Sequence, residues 1–265
     1  MPELADLEAF SKTLNRKLKE AKLHEVRVFQ KEKIHASEKE LNATLSGKAL
    51  KVVYREGKQL FFDFGKDAVF SMHLMLNGKL QLNESEPPKY PVASFEFENE
   101  NVLVLSDFQK IANITLNPKP MEGVDALSDE LTGKWLFDRI RKSKASIKAV
   151  LMDQKIIGGI GNAYADEILC EAKIHPESIT NKIPEKEVDI LVRAIKSVFE
   201  HAIKEILKSS PDIISGEIRD FMVVHNSKKK QTPAGDKIHN TKIAGRVTYY
   251  TDQQILYKYY GSHIN

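Results

Sequence analysis

"LMDQKIIGGIGNAYADEILCEAKIHP", residues 151–176, is the stretch on which the fold turns. An apolar helix runs into "GGIGN" (158–162), where glycines permit tight backbone geometry. A second helix starts near Asn162, carries Asp166 and Glu167 in its early turns, and stops at "KIHP", because Pro176 cannot continue it. A glycine-rich turn feeding a helix N-terminus turns backbone N–H groups outward, an arrangement that suits an anion. The same letters also suit an ordinary packing corner between two helices. Spacing alone does not separate the two readings.

Working outward, the periodicity is helical from about 127 to 207. Upstream it changes. Leu4, Leu7, Phe10 and Leu14 recur at helical spacing and predict a helix over 3–22. From about 25 to 116, runs such as "KVVYREGKQLFFDFG" (51–65) and "NVLVLSDFQKIANITL" (101–116) alternate or carry β-branched residues between Gly and Asn breaks. Short strands in succession predict a β-sandwich or barrel. "NPKPMEGVDALSDE" (117–130) reads as a linker, and "PDIISGEIRDFMVVHN" (211–226) as a connection. "KIHNT" (237–241) and "RVTYYT" (246–251) predict a small hairpin. The expected class is α+β: a leading helix with a β-sandwich over 1–116, a linker over 117–130, a helical domain over 131–225, and a β-hairpin over 226–265.

Composition narrows the function. The chain has 265 residues, enough for two domains, with 42% hydrophobic and 29% charged residues, as in ordinary folded proteins. Its net charge is only +3, but "RIRKSKASIKAVLMDQK" (139–155) and "KKK" (228–230) concentrate positive charge, which suits a phosphate backbone as well as a solvated face. Cys170 is the one cysteine, so the chain holds no internal disulfide and no cysteine zinc site, and a small buried role on a helix face is expected for it. No apolar run reaches membrane-spanning length and no signal-peptide pattern opens the chain, so a cytoplasmic protein is expected.

Residues 151–176 resemble the helix–two-turn–helix motif of the formamidopyrimidine-DNA glycosylase and endonuclease VIII family. The family wording "LDQ-x-x-x-x-GIGN-x-YADE-x-L-x-x-A-x-I-x-P" is matched almost letter for letter. The opening "MPEL" resembles the other end of the same signature, and the likeness extends over the whole chain. It implies a bifunctional glycosylase and abasic-site lyase acting on oxidatively damaged bases, with damaged or abasic DNA as partner, no membrane, no cofactor, and a monomeric state. By resemblance Met1 is removed and Pro2 becomes a secondary amine. An α-amino group titrates near about 7.7–8, so a neutral, nucleophilic fraction exists at physiological pH. Glu3 would handle protons on the opened sugar. Lys58, in "REGKQL", matches the family's "R-x-x-K-x-L" lysine, a phosphate contact and general acid. Lys148, Asn162 and Arg246 match positions that grip DNA phosphate, the arginine through two parallel hydrogen bonds.

Several positions depart from the family. The two cysteine pairs of its zinc-finger members fall on Gln231 and Ala234 and on Thr251 and Gln254, so the resemblance implies a zincless hairpin with no metal, held by strand pairing and by packing of Val247, Tyr249 and Tyr250. Ala5 and Asp6 stand where the family has proline and glutamate. The void-filling methionine, arginine and phenylalanine become Leu76, Gln109 and Ile111. Leu76 and Ile111 are still suited to wedging between bases, but Gln109 lacks the fork of donors an arginine offers the opposite base. The segment 209–225 is shorter than the capping loop of oxidised-guanine enzymes, which favours ring-opened purines or oxidised pyrimidines. These changes also motivate an alternative, a fold-retaining protein that binds damaged or distorted DNA with little base excision.

Overall fold

The computed structural model describes residues 1–258, and its first element is the helix that the apolar spacing predicts, α1 (Leu4–Leu18). Leu4, Leu7, Phe10, Leu14 and Leu18 are all buried along one face. The helix stops at Leu18 rather than near 22, because Glu20 takes φ 66° and turns the chain into the first strand. Residues 259–265, the end of the expected hairpin segment, lie outside the described residues.

The chain divides into two compact units, Met1–Pro120 with Ile203–Ile218, and Met121–Ala202 with the residues from Arg219 onward. In the first, β1 (Leu23–Val28), β6 (Lys79–Leu82), β7 (Pro91–Phe97) and β8 (Val102–Ser106) form one antiparallel sheet in the order β1-β7-β8-β6. The other sheet runs β2-β9-β5-β4-β3, from β2 (Ile34–His35), β3 (Val52–Glu56), β4 (Gln59–Asp63), β5 (Val69–His73) and β9 (Asn113–Leu116). Their apolar faces meet in an aromatic stack: Phe70 of β5 lies 4.6 Å from Phe95 of β7 and 4.7 Å from Phe62 of β4. Each such pair adds about 0.5–1.5 kcal/mol beyond simple burial, which helps pin the register of the sandwich.

One helix inside this region escapes the strand reading. α2 (Glu38–Leu45) begins with a capping box, in which Ser37 Oγ accepts from Glu40 N–H and the Glu40 carboxylate accepts from Ser37 N–H at 2.7 Å. The S-x-x-E pattern was visible in "SEKE", but only Leu41 and Leu45 mark its buried face, too few for the periodicity to stand out.

In the second unit the helical periodicity resolves into separate helices, as the glycine break predicts. α3 (Gly133–Ile140), α4 (Ile147–Met152) and α5 (Asn162–Glu171) are separated by loops, and the long α6 (Glu185–Ser209) gives its last residues, from Ile203, to the first unit. The expected linker is partly ordered, because β10 (Val124–Asp125) pairs in parallel with β11 (Ile157–Gly158) just before the glycine turn. The predicted hairpin is present as β12 (Ile238–Ile243) and β13 (Arg246–Thr251). Ala244 and Gly245, both at positive φ (48° and 76°), make its two-residue turn. Its packing differs from expectation: Val247 is 42% exposed, while Thr248 and Thr251 are buried. Tyr250 packs edge-on to His175, and Tyr249 edge-on to His225. Among the described residues no helix is long and apolar enough to cross a membrane.

Candidate active site and nucleic-acid interface

The N-terminus is built as the cap of α1. Pro2 is buried, and Glu3 occupies the N-cap position with only 5% of its surface exposed. Asp6, fully buried, accepts the Glu3 backbone N–H at 2.8 Å. A capping carboxylate needs only a short reach, so aspartate serves here where the family has glutamate. Met1 is exposed, and its ammonium pairs with Glu217 of the segment after α6.

Lys58 lies in the two-residue turn between β3 and β4, where Gly57 takes φ 56°. Arg55, three positions earlier, explains the arginine of the "R-x-x-K" wording. Its side chain is 4% exposed, donating from Nε to Glu8 Oε2 at 3.1 Å and from Nη1 to the Gly57 carbonyl at 3.2 Å. One guanidinium thus fastens the lysine turn to α1. His73, at the end of β5, was not singled out from the sequence. Burial, followed by the positive charge of Lys58, pushes its pKa down to about 4. Its Nδ1 accepts from Met75 N–H at 3.0 Å, so the neutral ring carries its proton on Nε2, as a donor. The signal was the His opening "HLMLNG", a polar residue ending an apolar strand.

Two loops of this unit carry the expected void-filling residues. Leu76 is 56% exposed at the tip of the loop after β5. Asp107, almost fully buried, organises the other loop by accepting from the N–H groups of Gln109, Ile111 and Ala112 at 3.0, 2.8 and 2.8 Å. Asn77 Nδ2 donates to Gln109 Oε1 at 2.6 Å and joins the two loops. Ile111 is half-buried, whereas its neighbour Phe108 is 58% exposed. The aromatic at the loop tip therefore lies at a position that the sequence comparison passed over.

In the second unit, Gln154 staples the glycine turn. Its Nε2 donates to the carbonyls of Met152 and Ile160 at 2.9 and 2.8 Å, and its Oε1 accepts from Gly159 N–H at 2.9 Å. Gly159 takes φ 103°, a conformation few other residues tolerate. The turn delivers Asn162 to the first position of α5, where its Nδ2 donates to the Val247 carbonyl of β13 at 3.1 Å. Arg246, next in the chain to Val247, is exposed at the hairpin turn. Asn162 and Arg246 are therefore brought together.

Lys148 is a correction. It was expected on a phosphate, but it is fully buried, with Nζ 2.6 Å from Asp166 Oδ1 and 2.7 Å from Thr248 Oγ1. A buried ammonium held this way serves the interior, because exposing it would break a charge pair in a low-dielectric site. Glu167, next on α5, accepts from the N–H groups of Val223, Val224 and His225 at 2.7–2.8 Å. Burial pushes its pKa up, opposed by those three backbone donors. The positions of the missing cysteine pairs are also engaged. Gln254 Oε1 accepts from Thr251 N–H at 2.8 Å while its Nε2 donates to the Ile174 carbonyl at 2.9 Å, and Gln231 bridges to Lys237. Cys170 is 7% exposed, and burial pushes its thiol up to about 11, in keeping with a packing role.

Comparison with known proteins gives a consistent result. Residues 1–114 match the family described as "Formamidopyrimidine-DNA glycosylase N-terminal domain", and residues 123–211 match "Formamidopyrimidine-DNA glycosylase H2TH domain". The formamidopyrimidine-DNA glycosylase of Pelotomaculum thermopropionicum is 31% identical, over 94% of this chain and 97% of that protein. That of Ligilactobacillus salivarius is 33% identical, over 72% and 73%. Among solved structures, the Lactococcus lactis Fpg in complex with DNA containing an abasic site superposes with TM-score 0.84 at 26% identity, covering 96% of this chain and 99% of that one. A complex of the same protein with DNA containing an oxidised pyrimidine gives TM-score 0.84 at 27% identity, with the same coverage.

Proposed function

Since the chain belongs to the formamidopyrimidine-DNA glycosylase family, enzymes of base excision repair, we propose that it removes damaged bases with Pro2 as nucleophile and then nicks the strand. Once Met1 is removed, the ring nitrogen of Pro2 is a secondary amine held rigidly at the start of α1. It attacks C1′ of the extruded nucleotide: the N–C1′ bond forms as the glycosidic bond breaks, and the proton shed by the proline nitrogen balances the one taken up by the departing base. Glu3 delivers a proton to the sugar ring oxygen as the ring opens to the iminium. Loss of a C2′ proton then expels the 3′ phosphate, and water hydrolyses the iminium to free the enzyme.

The observation that carries this reading is the N-terminal cap itself: buried Pro2 and Glu3, braced by Asp6, on a helix that Arg55 ties to the Lys58 turn. Lys58 contacts the phosphate beside the lesion and supplies a proton to the leaving group. His73, neutral and donating from Nε2, is suited to a second phosphate oxygen. Asn162 offers its second amide N–H, and Arg246 its fork, to one backbone phosphate. Leu76 and Phe108 are the apolar tips suited to the gap left by the extruded nucleotide, with exposed Gln109 and half-buried Ile111 in the same loop as Phe108. The partner is damaged or abasic DNA, matching the ligands named in the Lactococcus lactis complexes.

A panel of duplexes, each carrying one lesion, tests the reading. Base release with a nick at ring-opened purines or oxidised pyrimidines is expected, and Glu3→Gln should abolish base release. Tight binding with release at the uncatalysed rate across the panel would leave a DNA-binding protein instead.

A further inference from the structure

Beneath the hairpin, a chain of buried polar atoms ends on the backbone of Arg246. Lys148 Nζ donates to Asp166 Oδ1 at 2.6 Å and to Thr248 Oγ1 at 2.7 Å, and Thr248 Oγ1 donates to the Arg246 carbonyl at 3.2 Å. All three side chains are fully buried. The direction of each link is forced. An ammonium only donates and a carboxylate only accepts, so the hydroxyl must accept from Lys148 and keeps its own proton for the carbonyl. The second Asp166 oxygen accepts from Tyr249 N–H at 2.9 Å and from His225 Nδ1 at 2.7 Å. A single carboxylate on α5 thus gathers α4, the segment ending at His225, and β13.

We propose that Asp166, Lys148 and Thr248 form a positioning relay that sets Arg246 beside Asn162 at the start of α5. The proposal rests on the reading that these two residues hold one phosphate. A guanidinium fork grips phosphate through two parallel bonds, which rewards a fixed backbone; pairing with Ile243 sets Arg246 within the hairpin but does not by itself seat the hairpin on α5. The hairpin has no cysteine pairs at the positions 231, 234, 251 and 254, so its placement comes from other groups. The relay supplies it. A buried ion pair adds little stability of its own, but it imposes a single register, because any slip of β13 on α5 strands a buried charge.

Thr248→Val is the discriminating variant: near-isosteric, it removes the hydroxyl link and leaves Lys148 and Asp166 intact. Binding to a duplex carrying a tetrahydrofuran abasic-site analogue is measured across a salt series, beside Thr248→Ser, Arg246→Ala and the Thr248→Val/Arg246→Ala double variant. Thr248→Val should weaken binding about tenfold, the scale of one buried group left unpaired. Its salt dependence should drop by about 0.9 in slope, one phosphate contact. Thr248→Ser should restore both, and the double variant should match Arg246→Ala alone. Hydrogen exchange over 238–251 should rise in Thr248→Val while α6 stays protected. Additive losses in the double variant, or an unchanged salt slope, would overturn the relay. If Arg246→Ala itself changes neither affinity nor slope, the phosphate reading fails instead, and unchanged exchange in Thr248→Val would still count against the relay. Should Thr248→Val not fold, Asp166→Asn enters the same cycle with the same expectations.

Discussion

Arg55 and Glu8 meet at 3.1 Å, with the guanidinium almost wholly buried, so that the turn carrying Lys58 is fastened to the helix that Glu3 caps. Arg55→Met should therefore lower stability by about 1 kcal/mol, the scale of the hydrogen bonds its buried guanidinium makes to the half-buried Glu8 and to the Gly57 carbonyl. Its effect on strand nicking should exceed its effect on DNA affinity, since it displaces a reacting group rather than a grip. Arg55→Lys should restore little, because one ammonium cannot span both acceptors. Urea unfolding combined with single-turnover nicking separates the two effects.

His73 gives the fold a pH dependence of known sign. Its pKa falls from the usual 6.5 to about 4 on folding, so below the unfolded value the unfolded chain binds a proton that the native state refuses. Stability is fully present above about pH 6.5 and is lost as the pH falls toward 4, at no more than ~1.4 kcal/mol per pH unit. His73→Asn should flatten this slope. Urea midpoints followed from pH ~7 to pH ~4.5 check it, and equal slopes in the two proteins would contradict it.

Phe108 and Leu76 expose apolar surface on two loops that Asn77 and Gln109 tie together. Truncating either to alanine should leave the melting temperature nearly unchanged, because neither supports the core. Phe108→Ala should weaken binding to abasic duplex by about 1–3 kcal/mol, the usual worth of one aromatic–base stack. Ile111→Ala should show the opposite balance, costing more stability than binding. A fluorescent base placed opposite the lesion reads the insertion directly, and an unchanged signal in Phe108→Ala would remove the aromatic from the gap.

Gln254 occupies a position where zinc-finger relatives carry a metal ligand, and it holds both the hairpin end and the Ile174 carbonyl. Gln254→Ala should destabilise the second unit by about 1–3 kcal/mol, since it strands a buried N–H and a buried carbonyl. Strong chelators should leave the melting temperature and abasic-DNA binding of the natural chain unchanged. A drop in either would mean that a metal is structural after all.

Much of this architecture was legible in the residues. The alternating runs gave the sandwich, and the spacing of Leu4, Leu7, Phe10 and Leu14 gave α1, because burial on one face writes a period into the chain. α2 was missed because two leucines make too short a period, although its capping box was present. The glycine turn is legible as a break between two helices, but the role of its staple, Gln154, is not, because a side chain that bonds only to backbone writes no period into the sequence. Lys148 misled for a physical reason. A match to a phosphate-gripping position carries over the residue type but not its surroundings, and only the fold shows that Asp166, eighteen positions on, holds the ammonium inside. Phe108 was passed over because alignment transfers positions, whereas exposure is decided by how Asp107 folds the loop.

Trapping with borohydride tests the central claim most directly. Chain lacking Met1 is incubated with abasic-site duplex, reduced, digested, and the cross-linked peptide located by mass spectrometry. A tertiary-amine adduct at the Pro2 nitrogen is expected, absent when the initiator methionine is retained. A cross-link on a lysine side chain, or no cross-link from fully processed protein, would contradict the assignment of Pro2 as nucleophile.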